Sequence, residues 1–322
     1  MPSESRPLLS VVLSFRNEVE VIPELLRRLT GVLTALPIEY ELIFVNDASV
    51  DDSLGFLTRE ASRDRHLRII TMSRRFGPVE CAMAGLAFAK GAAVVLIDAD
   101  LQDPPELIPS LVDRWREGAD VVYTVRAARR GDSLVRRSVT RAAYRILQAV
   151  ANIDLPVEAG DFRLMSRRVV DELLKLPERT PYLRGLVPWV GFKQVPVYYE
   201  RQPRFAGRTH FPLFSLNPWR TFLAGLTSFS TAPLVVLFPL GLTLMVGSTF
   251  GVALLTASRI WGTSAPLWWW VALGLALLGG AQVTALGIIG LYLARMYDDV
   301  RGRPRYIVGS VVGGDDPSRP IS

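Results

Sequence analysis

Apolar positions along the first half of the chain alternate between short continuous runs and helical stripes. Leu8–Ser14 (LLSVVLS) predicts a buried strand, and Val21, Ile22, Leu25, Leu29, Val32, Leu33 and Leu36 then recur at helical spacing between about Val19 and Leu36. The cycle repeats through strand Tyr40–Val45, helix near Asp52–Arg63, strand Leu67–Met72, helix Val79–Lys90 and strand Ala93–Ile97. A helix near Pro105–Glu117 and a strand Asp120–Thr124 extend it, and Lys193–Glu200 reads as a late strand that Pro196 confines to a sheet edge. Alternation of this kind predicts a parallel sheet with right-handed crossovers.

The pattern changes near Phe211. From Phe211 to Phe229 apolar and aromatic residues surround a single charge, Arg220, which predicts an amphipathic helix at a membrane interface. Beyond it, no Asp, Glu, Lys or Arg occurs between Arg220 and Arg259, nor between Arg259 and Arg295. Each gap exceeds the roughly 20 residues that span hydrocarbon. Two membrane spans are therefore expected, at about Pro233–Ala257 and Leu267–Leu291, with Trp261 and Trp268–Trp270 as interfacial aromatics. Arg295, Arg301, Arg303 and Arg305 follow the second span, against Arg259 alone in the link Ser258–Pro266, so both termini should be cytoplasmic. Gln282 is the one strongly polar residue of the second span, which speaks against an ion or proton pathway.

Polar residues collect where the strands end. Asn17 and Glu18 follow the first strand, Asp47 and Ser49 the second, and the fourth runs straight into Asp98, Asp100 and Asp103 before Pro104 and Pro105 open a helix. Carboxylates at the carboxyl end of a central parallel strand point into the crevice where open α/β sheets bind ligands. Crowding them there costs energy unless a cation shares the space, and Mg2+ or Mn2+ suits carboxylate and phosphate oxygens together. Alone, Asp-x-Asp before a helix reads better as a solvated N-cap; its place after a fully apolar strand, and the company it keeps along the chain, favour the ligand site. No Gly-x-Gly-x-x-Gly and no Walker loop follows any strand, which disfavours a dinucleotide site and a phosphate-binding loop of those types.

Charge and cysteine content narrow the partners. A net charge of +6 arises from 37 basic and 31 acidic residues, but the arginines are scattered or juxtamembrane and no nucleic-acid-binding pattern appears. Phosphates and lipid headgroups are the expected partners, and nucleic acid is not. The single Cys81 excludes an intrachain disulfide and a cysteine-based zinc site. The start MPSESRPLLS lacks the apolar core of a signal peptide, so the N-terminal domain is expected in the cytosol. Arg126, Arg129 and Arg130 lead into a helix from about Ser133 to Val150, where Arg137, Arg141 and Arg145 share one face. That face fits a solvated surface and a phosphate site equally. Glu158–Met165 (EAGDFRLM) reads as a loop before a helix that starts near Ser166.

Taken in order, the Asn-Glu and Asn-Asp-x-Ser strand ends, DADLQDPPE, GDFRLMSRR, two C-terminal spans and RPRYIV resemble the polyprenyl-phosphate glycosyltransferases. These are membrane-attached members of glycosyltransferase family 2, related to dolichyl-phosphate mannosyltransferase and the bactoprenol glucosyltransferases, and the likeness runs from about Leu8 to Val308. The resemblance implies an α/β GT-A (Rossmann-like) catalytic domain over 1–204, an interfacial helix region over 205–231, a two-helix transmembrane domain over 232–294 and a cytosolic basic tail over 295–322. It also implies inverting transfer of one sugar from a nucleotide sugar, UDP-glucose before GDP-mannose, to polyprenyl phosphate. The setting would be the cytosolic face of the plasma membrane, with a divalent cation, lipid contacts and assembly as a homotetramer.

Carried over by position, Asn17, Glu18, Asp47, Asp98, Gln102 and Arg163 would bind the donor, and Asp98 and Asp100 the metal. Arg126, Arg137, Arg208 and His210 would meet the acceptor phosphate, and Asp161 would be the base or sugar-orienting acid, so that Asp161 and Asp100 carry the chemistry. The chain departs from its relatives in having Ser14 for Pro, Arg16 for Tyr, Ala48 for Gly and Arg75 for Asn, and Gly207-Arg208-Thr209-His210-Phe211 for Gly-Glu-Ser-Lys-Tyr. The lost Lys removes a fixed charge that Arg208, or His210 near neutral pH, could replace. A processive polysaccharide synthase would share the sheet but needs a Gln-x-x-Arg-Trp motif and further spans, and neither is present. A non-catalytic membrane scaffold would have no use for the clustered acids.

Overall fold

The computed structural model describes residues 9–128, 159–178, 181–200, 266–300 and 302–313, together with Gly247 and Phe250. The chain divides into two compact units, residues 1–148, 153–218 and 304–322 in one and 149–152 with 219–303 in the other.

The first unit is built on an eight-stranded sheet. In chain order it contains β1 (Leu9–Phe15), α1 (Ile22–Thr34), β2 (Tyr40–Asn46), α2 (Ser53–Ala61), β3 (Leu67–Met72), α3 (Pro78–Phe88) and β4 (Ala93–Asp98). A 3-10 turn at Pro105–Leu107, α4 (Ile108–Arg116), β5 (Val121–Ala128), β6 (Ala159–Ser166), α5 (Arg167–Lys175), α6 (Leu183–Val190) and β7 (Gln194–Glu200) follow, and β8 (Val308–Val312) comes from the far end of the chain. The strand order is β7-β5-β6-β4-β1-β2-β3-β8.

β1, β2 and β4 are buried along nearly their whole length because helices cover both sheet faces, which is why they read as largely apolar runs. α1 buries Ile22, Leu25, Leu29 and Leu33, each side chain contributing about 1.5–3 kcal/mol. α3 approaches β1 so closely that a Cβ on Gly85 would lie 2.2 Å from Val12 Cγ1. Only glycine permits that approach.

The sheet is mixed, where alternation of strands and helices predicts a parallel one. β1 pairs in parallel with β2 and β4, and β2 with β3, but β6 runs antiparallel to both β4 and β5 and β8 antiparallel to β3. The segment Glu158–Met165, expected as a loop, is from Ala159 onward the strand β6 at the middle of the sheet. Its Phe162 and Leu164 are fully buried, and that burial outweighs the polar residues that conceal the strand in the sequence. β7 lies at the sheet edge, where Pro196 leaves no unmet hydrogen bond.

The second unit contains α7 (Leu267–Val300), a helix of 34 residues. Taken over the described residues alone, no helix is long and apolar enough to cross a membrane. The sequence of α7 nonetheless holds no Asp, Glu, Lys or Arg from Leu267 to Ala294, so its candidacy as a span rests on sequence. The interfacial helix, the first expected span apart from Gly247 and Phe250, and the arginine-rich helix of 133–150 lie outside the described residues.

Candidate active site at the carboxyl ends of the central strands

In the parallel registers Phe15 sits beside Asn46 and Ser14 beside Asp98, so the loops leaving β1, β2 and β4 open at one edge of the sheet. Side chains join the first two loops. Asn17 N–H donates to Ser49 Oγ at 3.1 Å, Val50 N–H to Asn17 Oδ1 at 2.9 Å, and Glu18 N–H to Ser53 Oγ at 3.1 Å. Asn17 adopts φ +54°, a left-handed conformation that asparagine tolerates better than most residues. Glu18 is buried and starts the turn into α1, its carbonyl accepting from Val21 and Ile22 at 3.0 Å.

Asp47, also buried, anchors a third loop. Its Oδ1 accepts from Phe76 N–H at 2.7 Å, and both carboxylate oxygens lie 3.2 Å from Gly77 N. Arg16 Nη1 donates to the Asp47 carbonyl at 3.2 Å. Gly77 has φ +119°, which lets the chain turn into Pro78 and α3 directly over Asp47.

The end of β4 gathers acids. Gln102 N–H donates to Asp100 Oδ1 at 3.0 Å, closing a side-chain turn, and Leu101 is buried at φ +56°. Asp103 is fully buried and accepts the Tyr199 hydroxyl from β7. Burial pushes the Asp98 carboxyl up to about 7, with Asp161, Asp100 and Asp103 adding repulsion and Arg184 opposing it.

β6 brings the fourth carboxylate. The ladder pairs Leu96 with Arg163, and continuing the same register by two residues sets Asp161 opposite Asp98. Arg163 is buried: its Nη2 donates to Gly160 O at 2.9 Å, its Nε to Asp161 O at 3.3 Å, and it stands 3.8 Å from the Asp161 carboxylate. Burial pulls its guanidinium below the usual arginine range. Arg184 of α6 grips Asp161 from the other side, Nε to Oδ1 at 2.8 Å and Nη2 to Oδ2 at 2.5 Å.

The crevice thus assembles Asn17, Glu18, Asp47, Asp98, Asp100, Gln102, Asp161 and Arg163 on adjacent strand ends. Arg126 belongs to β5, where its backbone stands opposite Tyr199. Arg137, Arg208 and His210 lie outside the described residues. Arg184 and Tyr199 escape the sequence reading. A signal for Arg184 exists, since it is the sole charged residue but one in Pro181–Lys193, the other being Lys193 at the end.

Among the described residues no three His, Cys, Asp or Glu side chains converge as a protein-only metal site. The donor set fits a different arrangement, in which one or two carboxylates share a hard cation with substrate oxygens and water, as Mg2+ is commonly bound. The crowding around Asp98 is the strain such a cation would relieve.

An α/β sheet with an acidic crevice at its parallel strand ends places this chain among the open α/β proteins that bind ligands there. Residues 10–174 match the model of glycosyl transferase family 2, and the chain belongs to that family. It has a GT-A-like fold with a mixed sheet. The chain is 40% identical to an uncharacterized glycosyltransferase of Synechocystis sp. over 95% of its own length and 96% of the relative's. Identity is also 40% to an uncharacterized glycosyltransferase of Bacillus subtilis, covering 94% of each chain. To the prophage-derived bactoprenol glucosyl transferase of Shigella flexneri it is 34%, over 93% of this chain and 97% of that one.

Proposed function

We propose that the protein transfers a single sugar, with inversion, from a nucleotide-diphosphate sugar to polyprenyl phosphate at the cytosolic face of the plasma membrane. The observation that carries this reading is the meeting of Asp98 and Asp100 at the end of β4 with Asp161 near the start of β6, in a chain 34% identical to a bactoprenol glucosyl transferase. UDP-glucose is the favoured donor and GDP-mannose the second.

In this reading Asn17, Glu18 and Asp47 line the nucleoside end of the crevice, on loops already held to one another. Asp98, Asp100 and Gln102 face the ribose and diphosphate. A bound Mg2+ or Mn2+ held by Asp98 and Asp100 would supply positive charge to the leaving diphosphate. The attacking group is a phosphate oxygen, whose second pKa lies near about 6 by analogy with phosphoserine, so it is largely ionised at neutral pH. Asp161 therefore aligns the sugar or acceptor more than it removes a proton, and alignment is a large part of the rate enhancement. Arg126, Arg137, Arg208 and His210 supply charge for the acceptor phosphate. An isoprenoid tail keeps the acceptor in the bilayer, and an interfacial helix with two spans would hold the crevice at headgroup level.

The test uses membranes containing the protein, labelled UDP-glucose and GDP-mannose in separate reactions, and added polyprenyl phosphate. Lipid-phase label that EDTA abolishes, and that falls on the order of 100-fold or more in Asp100→Ala, is the expected result. Metal-dependent donor binding without lipid label would reject these donors, and absence of both would reject the reaction.

A further inference from the structure

We propose that Arg184 is a positioning residue that sets the orientation of Asp161 at the reacting centre, an inference that rests on the reaction proposed above. Asp161 lies beyond the last paired rung of the β4–β6 ladder, which ends at Leu96 and Arg163, so strand pairing alone does not fix its carboxylate. Two arginines complete the job in different ways. Arg163 donates to the carbonyls of Gly160 and Asp161 and so holds the backbone. Arg184 meets both carboxylate oxygens, at 2.8 and 2.5 Å, and so fixes the plane of the side chain. A fork of two parallel N–H donors specifies that plane where a single ammonium contact leaves it free to rotate.

The base of the fork is itself held. Leu183, Leu186 and Val187 of α6 are buried on either side of Arg184, so the helix that carries the guanidinium is packed into the unit. Charge also calls for such a residue. Asp98 and Asp161 repel one another across the crevice, and Arg184, paired with the Asp161 carboxylate, offsets the crowding at Asp98. A carboxylate lacking this partner would turn away from its neighbours.

Exposure separates this role from a structural one. The Arg184 and Asp161 side chains are 37% and 36% exposed, and an ion pair at that exposure adds little to the stability of a fold. Removing Arg184 should leave the fold standing and misplace Asp161.

Steady-state kinetics on the full-length membrane protein test this. Arg184→Ala is expected to lower kcat on the order of 10- to 100-fold while donor KM stays within about twofold. Guanidinium, at concentrations that leave the parent rate unchanged, should restore part of the loss. In an Asp161→Asn background the same substitution should cost nothing further, because its effect passes through Asp161. An unchanged kcat, a loss confined to donor KM, a loss of equal size in both backgrounds, or no relief by guanidinium would each overturn the role. The parent is the control: no sugar-lipid from the parent with any donor refutes the reaction itself, whereas an active parent beside an equally active Arg184→Ala refutes only the role of Arg184.

Discussion

Ala48, directly after Asp47, sits at φ +51°, in the left-handed region where a Cβ crowds the backbone at a cost of about 1–2 kcal/mol. The neighbouring left-handed residue Asn17 offsets its cost with a side-chain bond to Val50 N–H, and Leu101 does so by burial. Alanine can do neither, and glycine would remove the crowding. Glycine also loosens the unfolded chain, worth about 0.4–1 kcal/mol in the other direction. The steric relief is the larger effect, so Ala48→Gly should stabilise the protein by about 0.5–1 kcal/mol and raise its urea midpoint. A midpoint equal to or below the parent's would show that the turn bears no strain at Ala48.

Asp120, buried just before β5, does for three strands what Asp47 does for three loops. It accepts from Ser166 Oγ at the end of β6 at 3.1 Å, from the Arg168 guanidinium of α5, and from Lys193 N–H ahead of β7 at 3.4 Å. The Arg168 hydrogen bonds hold its carboxyl below the ordinary aspartate range. A depressed carboxylate stabilises the fold above the unfolded pKa of about 3.9, and the stabilisation fades as pH falls through the folded value. Asp120→Asn should therefore cost about 1–3 kcal/mol at pH 7, with the gap from the parent narrowing below about pH 4. A gap that stays constant between pH 7 and pH 3, followed by denaturant unfolding, would mean that ionisation at Asp120 does not matter. The same region marks the boundary of what the sequence discloses. β1 to β4 are legible because burial on both faces demands largely apolar runs, and the acids after β4 are legible because they follow a fully apolar strand directly. β6 is not, since Asp161 and Arg163 interrupt its apolar residues, and the burial of Arg163 is made tolerable by the carbonyls of Gly160 and Asp161 and the Asp161 carboxylate, a local arrangement that residue types alone do not announce. Arg184 stands out in the sequence as an isolated charge, but its role does not, because its partner lies 23 positions away on another element.

β8 escapes notice in the sequence because Gly309 and Ser310 break a short run behind four arginines, yet it constrains the whole chain. It pairs antiparallel with β3, from Ile69 opposite Val312 to Met72 opposite Val308, so residues 304–322 belong to the same unit as the catalytic sheet. The chain leaves that unit near residue 218 and rejoins it near 304. If the intervening segment crosses a bilayer, it must do so an even number of times, since one crossing would strand β8 on the opposite side from β3. Two uncharged stretches, either side of Arg259, meet that requirement, and the helix Leu267–Val300 contains the second. The expected topology places the link around Arg259 outside and the tail inside. Cys81 is the single cysteine and is buried, which makes labelling direct. In a Cys81→Ala background, Gly262→Cys should react with a membrane-impermeant maleimide on intact cells, and Ser318→Cys only after permeabilisation. Both sites reacting from outside, or neither reacting before permeabilisation, would rule out the two-span arrangement; a reactive Gly262→Cys with a protected Ser318→Cys would satisfy the strand pairing and the charge pattern together.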